Sequence, residues 1–165
     1  MNKPLISIII RTLNEERYLS SLLKGIYSQK CNYTYDINLI DSGSNDNTLK
    51  IAKYYKCRIT HIEKKDFSFG RSLNECINFS RGTHLVLISG HCIPKNNNWL
   101  ENLVKPIING SVQLTYGRQL AGDNSNWSER QIYKKYFPLE EKIPQEGFFC
   151  NNANSAVLRS IWNKY

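Results

Sequence analysis

The first half of the chain alternates two kinds of apolar pattern. Leu5 to Ile10 is a run rich in β-branched residues, which predicts a buried parallel strand. Thr12-Leu13-Asn14-Glu15 then has the S/T-x-x-E form of a capping box. Tyr18, Leu22 and Ile26 follow at spacing four, beside Leu19 and Leu23, which puts one apolar stripe on a helix. Ile37 to Ile40 predicts a second strand, Asp41 to Asp46 a turn, and Leu49, Ala52 and Tyr55 a second helix. Cys57 to Ile62 predicts a third strand. Gly70 to Ser80 reads as a helix through Leu73, Cys76 and Ile77, with Gly82 just past its end as a stop. Leu85 to Ser89 is a fourth strand, and Trp99, Leu100, Leu103, Val104 and Ile107 give another helical face. Beyond it, Val112 to Tyr116 predicts a strand, Trp127 to Phe137 a helix and Pro138 to Gly147 a polar loop. Phe148 to Leu158 reads either as a strand pair or as a strand and turn.

Strand and helix in alternation predict an α/β fold with a Rossmann-like, mostly parallel sheet and helices on both faces. The 165 residues fit a single domain. Ligands of such sheets bind outside the carboxyl ends of the strands. That singles out Arg11 to Glu15, Asp41 to Asp46, the loop before Gly70, and Ser89 to Cys92.

Composition adds a partner class. The formal charge of +8 suits an anionic ligand, whether nucleotide phosphate, nucleic acid or an acidic lipid surface. A basic nucleic-acid binder wants a stripe of cations interleaved with aromatics. Lys134-Lys135-Tyr136 and Tyr54-Tyr55-Lys56 are too short and too scattered for that, so no nucleic-acid partner is expected. The five cysteines have no C-x-x-C spacing, and Cys57 and Cys76 fall in apolar patterns as core thiols. No signal peptide or membrane-spanning run is expected, which points to a cytoplasmic chain, with peripheral contact to an anionic membrane as the other option.

Two nucleotide-binding motifs fail on their own residues. The turn after the first strand has no G-x-G-x-x-G, and no G-x-x-x-x-G-K-[ST] occurs. What stands there instead, ISIIIRTLNEERYLSSLL, LIDSGSNDNT, FSFGRSLNECINFSRGTHLVLISGHCIP and FFCNNANSAVLRSIW, resembles the family 2 glycosyltransferases of the GT-A fold, closest to rhamnosyltransferase-like members.

The resemblance implies inverting transfer of a sugar from a nucleotide-sugar donor to a glycan, lipid-linked or other hydroxyl acceptor, in glycan or polysaccharide synthesis. It also implies a divalent cation, Mn²⁺ or Mg²⁺, on the diphosphate. Arg11, Thr12 and Asn14 fall at one side of the expected nucleotide pocket, with Glu15 read either as a helix cap or as part of it. Asp41, Ser42 and Gly43 form the other side. Asp41 offers acceptors to a base or ribose, and the Ser-Gly-Ser turn lets the backbone come close; the competing reading is an Asx turn. A second acid often stands where Ser42 is. Arg71, at a helix N-terminus, suits phosphate. Asn151, Asn152 and Asn154 fall at the floor of the sugar site, where amides match hydroxyls; alternatively they are turn residues.

Two departures from the family pattern stand out. Gly90 and His91 occupy the place of the acidic metal motif. His91 there is a metal ligand, a cation for the diphosphate, or a strand-end filler, and Gly90 would let a diphosphate approach the backbone. The general base expected beyond the last segment has no counterpart, because no Asp or Glu occurs from Gly147 to Tyr165. The expectation is a GT-A domain lacking the C-terminal part of its catalytic unit, either a fragment or a natural short form. A non-catalytic nucleotide-sugar binder, acting as a partner or regulator, is the alternative.

Overall fold

The computed structural model describes residues 5–122, 125–142, 145–147 and 149–165. Six strands form one sheet: β1 (Ile6–Thr12), β2 (Tyr35–Asp41), β3 (Arg58–His61), β4 (His84–Ser89), β5 (Leu114–Tyr116) and β6 (Asn154–Leu158). Their order is β3-β2-β1-β4-β6-β5. The first four are mutually parallel, and β6 runs antiparallel to both β4 and β5. The carboxyl ends of β1, β2 and β4 therefore share one edge. The first residue of β6 reaches the same edge, because Asn154 pairs with Ile88.

Alternation along each strand feeds two cores. Ile6, Ile8 and Ile10 of β1 pack with Leu19, Leu22, Leu23 and Ile26 of α1 (Glu16–Tyr27), Ala52 of α2 (Thr48–Tyr54) and the apolar face of α4 (Trp99–Ile108). Ile9, Leu85 and Leu87 pack on the other side with Leu73, Cys76 and Ile77 of α3 (Phe69–Phe79) and with Ile161 and Trp162 of α6 (Arg159–Trp162). Helices cover both faces, as the alternating pattern predicts. Tyr18 is the exception on the α1 stripe: it is exposed, under the Arg17 guanidinium. The last expected segment gives one strand, β6, and the described residues of the 138–147 loop hold neither helix nor strand. Helix α5 (Trp127–Tyr136) forms behind an Asn126–Glu129 capping box but buries none of its residues.

Cys57 and Cys76 are core thiols, pushed up to about 12 by burial. Among the described residues no helix is long and apolar enough to cross a membrane.

Gly82 has a different role from the helix stop read in the sequence. The α3 C-cap is Ser80, whose backbone N–H closes the helix. Gly82 instead lets the chain pass against β1: its N–H donates to Ser7 Oγ at 2.8 Å. A Cβ there would lie 2.5 Å from Ser7 N and 2.7 Å from Ile6 C. Backbone cannot rotate away as a side chain can. Gly82→Ala is expected to destabilise the fold by about 1–3 kcal/mol in urea unfolding, whereas Gly122→Ala, with nothing nearby, should stay close to the parent. Equal midpoints for the two variants would remove the packing explanation.

Candidate functional site

The turns after β1 and β2 are tied to each other by reciprocal hydrogen bonds. Ser42 N donates to Thr12 O at 3.1 Å, continuing the β1–β2 ladder past its end. Asn14 N donates to Ser44 Oγ at 2.8 Å, and Asn45 N donates back to Asn14 Oδ1 at 3.0 Å. Asn14 takes a left-handed φ of 55° to do so, a conformation asparagine tolerates better than most residues. Glu15 N donates to Thr48 Oγ1, Glu16 N to Asp46 Oδ2, and Asn47 N to Glu16 Oε2. The N-termini of α1 and α2 are thus capped by each other's turn.

Asp41 organises this shelf. It is 1% exposed. Oδ2 accepts Gly43 N and Ser44 N, at 2.9 and 2.8 Å, and Oδ1 accepts Ser44 Oγ and Thr12 Oγ1, at 2.5 and 3.1 Å. This is the Asx turn, with both oxygens engaged inside the protein. Ser42 is also buried and points Oγ at Thr12 O. Gly43 has φ of 97°, so glycine is required by the turn itself, and the stem of Lys64 packs on it.

The capping box expected at Thr12–Glu15 does not form. Thr12 Oγ1 is spent on Ile40 O and Asp41, and Glu15 makes no side-chain cap. Glu15 Oε1 instead meets His91 Nδ1 at 2.9 Å, across the gap between the ends of β1 and β4. The Glu15 side chain is 16% exposed and that of His91 59%. Gly90 is buried, and a Cβ on it would stand 2.9 Å from Glu15 Cγ and 3.0 Å from Arg11 O. Its missing side chain makes room for Glu15.

Arg11 faces the start of α3, and Arg71 stands in the first turn of that helix. Arg11 lies over the Phe69 ring at 4.9 Å and donates to Phe69 O, and burial lowers its pKa. Arg71 pairs with Asp66 at 3.5 Å, both half in solvent. The helix begins with a Ser68 side-chain cap on Arg71 N.

The three asparagines separate. Asn154 is buried: Oδ1 accepts Trp99 Nε1 at 2.8 Å and Nδ2 donates to Arg118 O, while Gly117 leaves it space. Asn151 Oδ1 accepts Ala153 N in a tight turn. Asn152 is exposed. Their loop lies beside β4, where Ser89 N donates to Ala153 O.

The family model described as Glycosyl transferase family 2 matches residues 7–165. The chain belongs to that family. Glycosyltransferase AglE of Haloferax volcanii is 29% identical over 126 residues, covering 68% of this chain and 41% of that protein. The O-antigen chain rhamnosyltransferase WbaN of Salmonella anatum is 27% identical over 101 residues, or 61% of this chain and 32% of its own. Among solved structures, the mannosyltransferase PcManGT from Pyrobaculum calidifontis, in complex with GDP-Man and Mn²⁺, superposes with a TM-score of 0.71 at 16% identity. That match covers 99% of this chain and 47% of PcManGT. The chain spans less than half the length of each of these proteins. The fold is GT-A.

In this family 2 chain, no group of three or more His, Cys, Asp or Glu side chains among the described residues could hold a metal. Asp41 is consumed by its turn, and Cys92 is packed on the core, where burial raises its thiol pKa. Where β1 and β4 end, Nε2 of His91 is a nitrogen suited to a cation, its ring partner Nδ1 being taken by Glu15. The chemistry of an imidazole suits a divalent transition ion, and His91 is the residue that would hold one there.

Glu16 and Thr48 lie outside the stretches that the sequence singles out, and Ser44 and Asp46, inside the Asp41–Asp46 turn, carry no individual role there. An acid in the first turn of α1 and an Asp-x-Thr before α2 are ordinary cap signals, and nothing in either pattern says that the caps are exchanged.

Proposed function

We propose that this chain forms the donor-binding half of a glycosyltransferase. It binds a nucleotide sugar at the shared edge of β1, β2 and β4, and the whole protein passes the sugar, with inversion, to a hydroxyl of a glycan, lipid-linked or other acceptor. The observation that carries the reading is the interlocked shelf of residues 12–16 and 41–48, bordered by His91 and Arg11. Such a surface presents backbone and small side chains without reorganising. The exposed backbone of Gly43 receives the base or ribose, and Asp41 serves by holding that turn in shape. Arg11 and Arg71 supply positive charge for phosphate, and Asn152 meets the sugar. His91 is the protein ligand of a divalent metal, which when bound neutralises charge on the leaving diphosphate. The name of the rhamnosyltransferase relative supports a role in polysaccharide assembly.

Titration calorimetry with UDP and with GDP, each with Mn²⁺, with Mg²⁺ and with chelator, tests the reading. Binding of at least one nucleotide is expected, tighter with Mn²⁺ than with Mg²⁺. No heat with any combination would reject it. A non-catalytic nucleotide-sugar binder is the second reading, favoured by the engagement of the acids at the site. It predicts the same binding without transfer by the whole protein.

A further inference from the structure

We infer that Glu15 is a positioning residue that fixes His91 in its Nδ1–H tautomer and so leaves Nε2 as a bare nitrogen for the metal. The inference rests on the reading of His91 as metal ligand given above.

The chemistry of the pair sets the tautomer. An ionised carboxylate only accepts hydrogen bonds. At 2.9 Å from Glu15 Oε1, His91 Nδ1 must carry the proton. In the neutral ring that leaves Nε2 with its lone pair, since the hydrogen bond at one nitrogen decides the state of the other. Metal-bound histidines use this same support: a carboxylate on the distal N–H orients the ring and raises its basicity.

The carboxylate is placed by three elements. Glu15 N is tied to Thr48 Oγ1 at 2.8 Å. Glu15 O accepts the N–H groups of Tyr18 and Leu19 in the first turn of α1. The side chain then crosses above Gly90, where any Cβ would displace it. The result is a mostly buried carboxylate aimed at a mostly exposed ring. A surface ion pair would need none of this construction. The consequence is a metal preference: imidazole ranks transition ions above Mg²⁺, which favours oxygen.

The test uses the whole 165-residue chain with a saturating nucleoside diphosphate and has two arms. Long-range ¹H–¹⁵N NMR, at a pH where the ring is neutral by its own shifts, reads the tautomer. A protonated Nδ1 and bare Nε2 are expected in the parent, with a mixture in Glu15→Gln, whose amide can donate as well as accept. A protonated Nε2 in the parent overturns the role of Glu15, whatever the metal does. In the second arm, electron paramagnetic resonance counts bound Mn²⁺. Glu15→Gln should weaken Mn²⁺ binding about 10–100-fold, and His91→Asp should shift preference toward Mg²⁺. If His91→Ala binds Mn²⁺ as tightly as the parent, the ligand reading itself fails, even with the tautomer as expected. If only Glu15→Gln is silent in both arms, the pair is a structural contact and the inference falls.

Discussion

The purified 165-residue chain, given donor and acceptor, is expected to transfer sugar about 10²–10⁴-fold more slowly than a transferase with a placed general base. Transfer to a hydroxyl is helped by a general base placed near the acceptor oxygen, most simply a carboxylate. The described acids around the site are already engaged. Glu15 is on His91, Asp41 inside its turn, Asp46 on Thr48 N and Glu16 N, and Asp66 on Arg71. No Asp or Glu occurs from Gly147 to Tyr165, the segment that carries the loop beside β4. Single-turnover assays with radiolabelled donor sugar measure this directly. Ordinary turnover would place the base elsewhere in the chain. Glu146 would be the first to replace: it is exposed, and its neighbour Gln145 is joined to Tyr116 at the end of β5. Asp123, the other acid to consider, lies outside the described residues.

Asp41→Ala is expected to lose both donor affinity and stability. The substitution removes the acceptor for four hydrogen bonds, two of them from backbone N–H groups of the turn. Part of that cost is recovered from water, because Gly43 is exposed. A loss of about 2–3 kcal/mol is expected, or roughly 4–12 °C in melting temperature for a chain of this length. Without the Asx turn, Gly43 has no reason to hold its positive φ, and the surface offered to the nucleotide is no longer formed in advance. Nucleoside diphosphate affinity should fall about ten- to a hundred-fold. Asp41→Asn keeps the shape and part of the accepting capacity, so it should fall between. A variant that melts like the parent but loses binding would put Asp41 on the ligand. One that melts early yet binds normally would remove the shelf from the site.

Much of the fold was legible in the sequence. Ile6, Ile8, Ile9 and Ile10 have no polar face between them, which fits a strand covered on both sides, and strands of that kind joined by amphipathic helices make a parallel sheet. The parallel order then places the crevice at Arg11, Asp41 and Ser89. The antiparallel entry of β6 was not legible, because an apolar run carries no sign of its direction. Nor was the exposure of α5, whose cap and spacing look like those of a packed helix.

The site divides along the same line. Residue type and position in the chain by themselves determined which side chains stand at the strand ends, His91 among them. Only the tertiary structure decided what each one does. Thr12 and Glu15 are spaced for a local capping box, but local hydrogen bonds are chosen in competition with distant ones. The ends of β1 and β2 lie side by side, so Thr12 is drawn to Asp41 and the first turn of α1 takes its caps from residues 44–48. That released Glu15 for His91, 76 positions away along the chain. Sequence spacing reports neighbours within one element; which partner wins is set by the contacts that packing brings within hydrogen-bond reach.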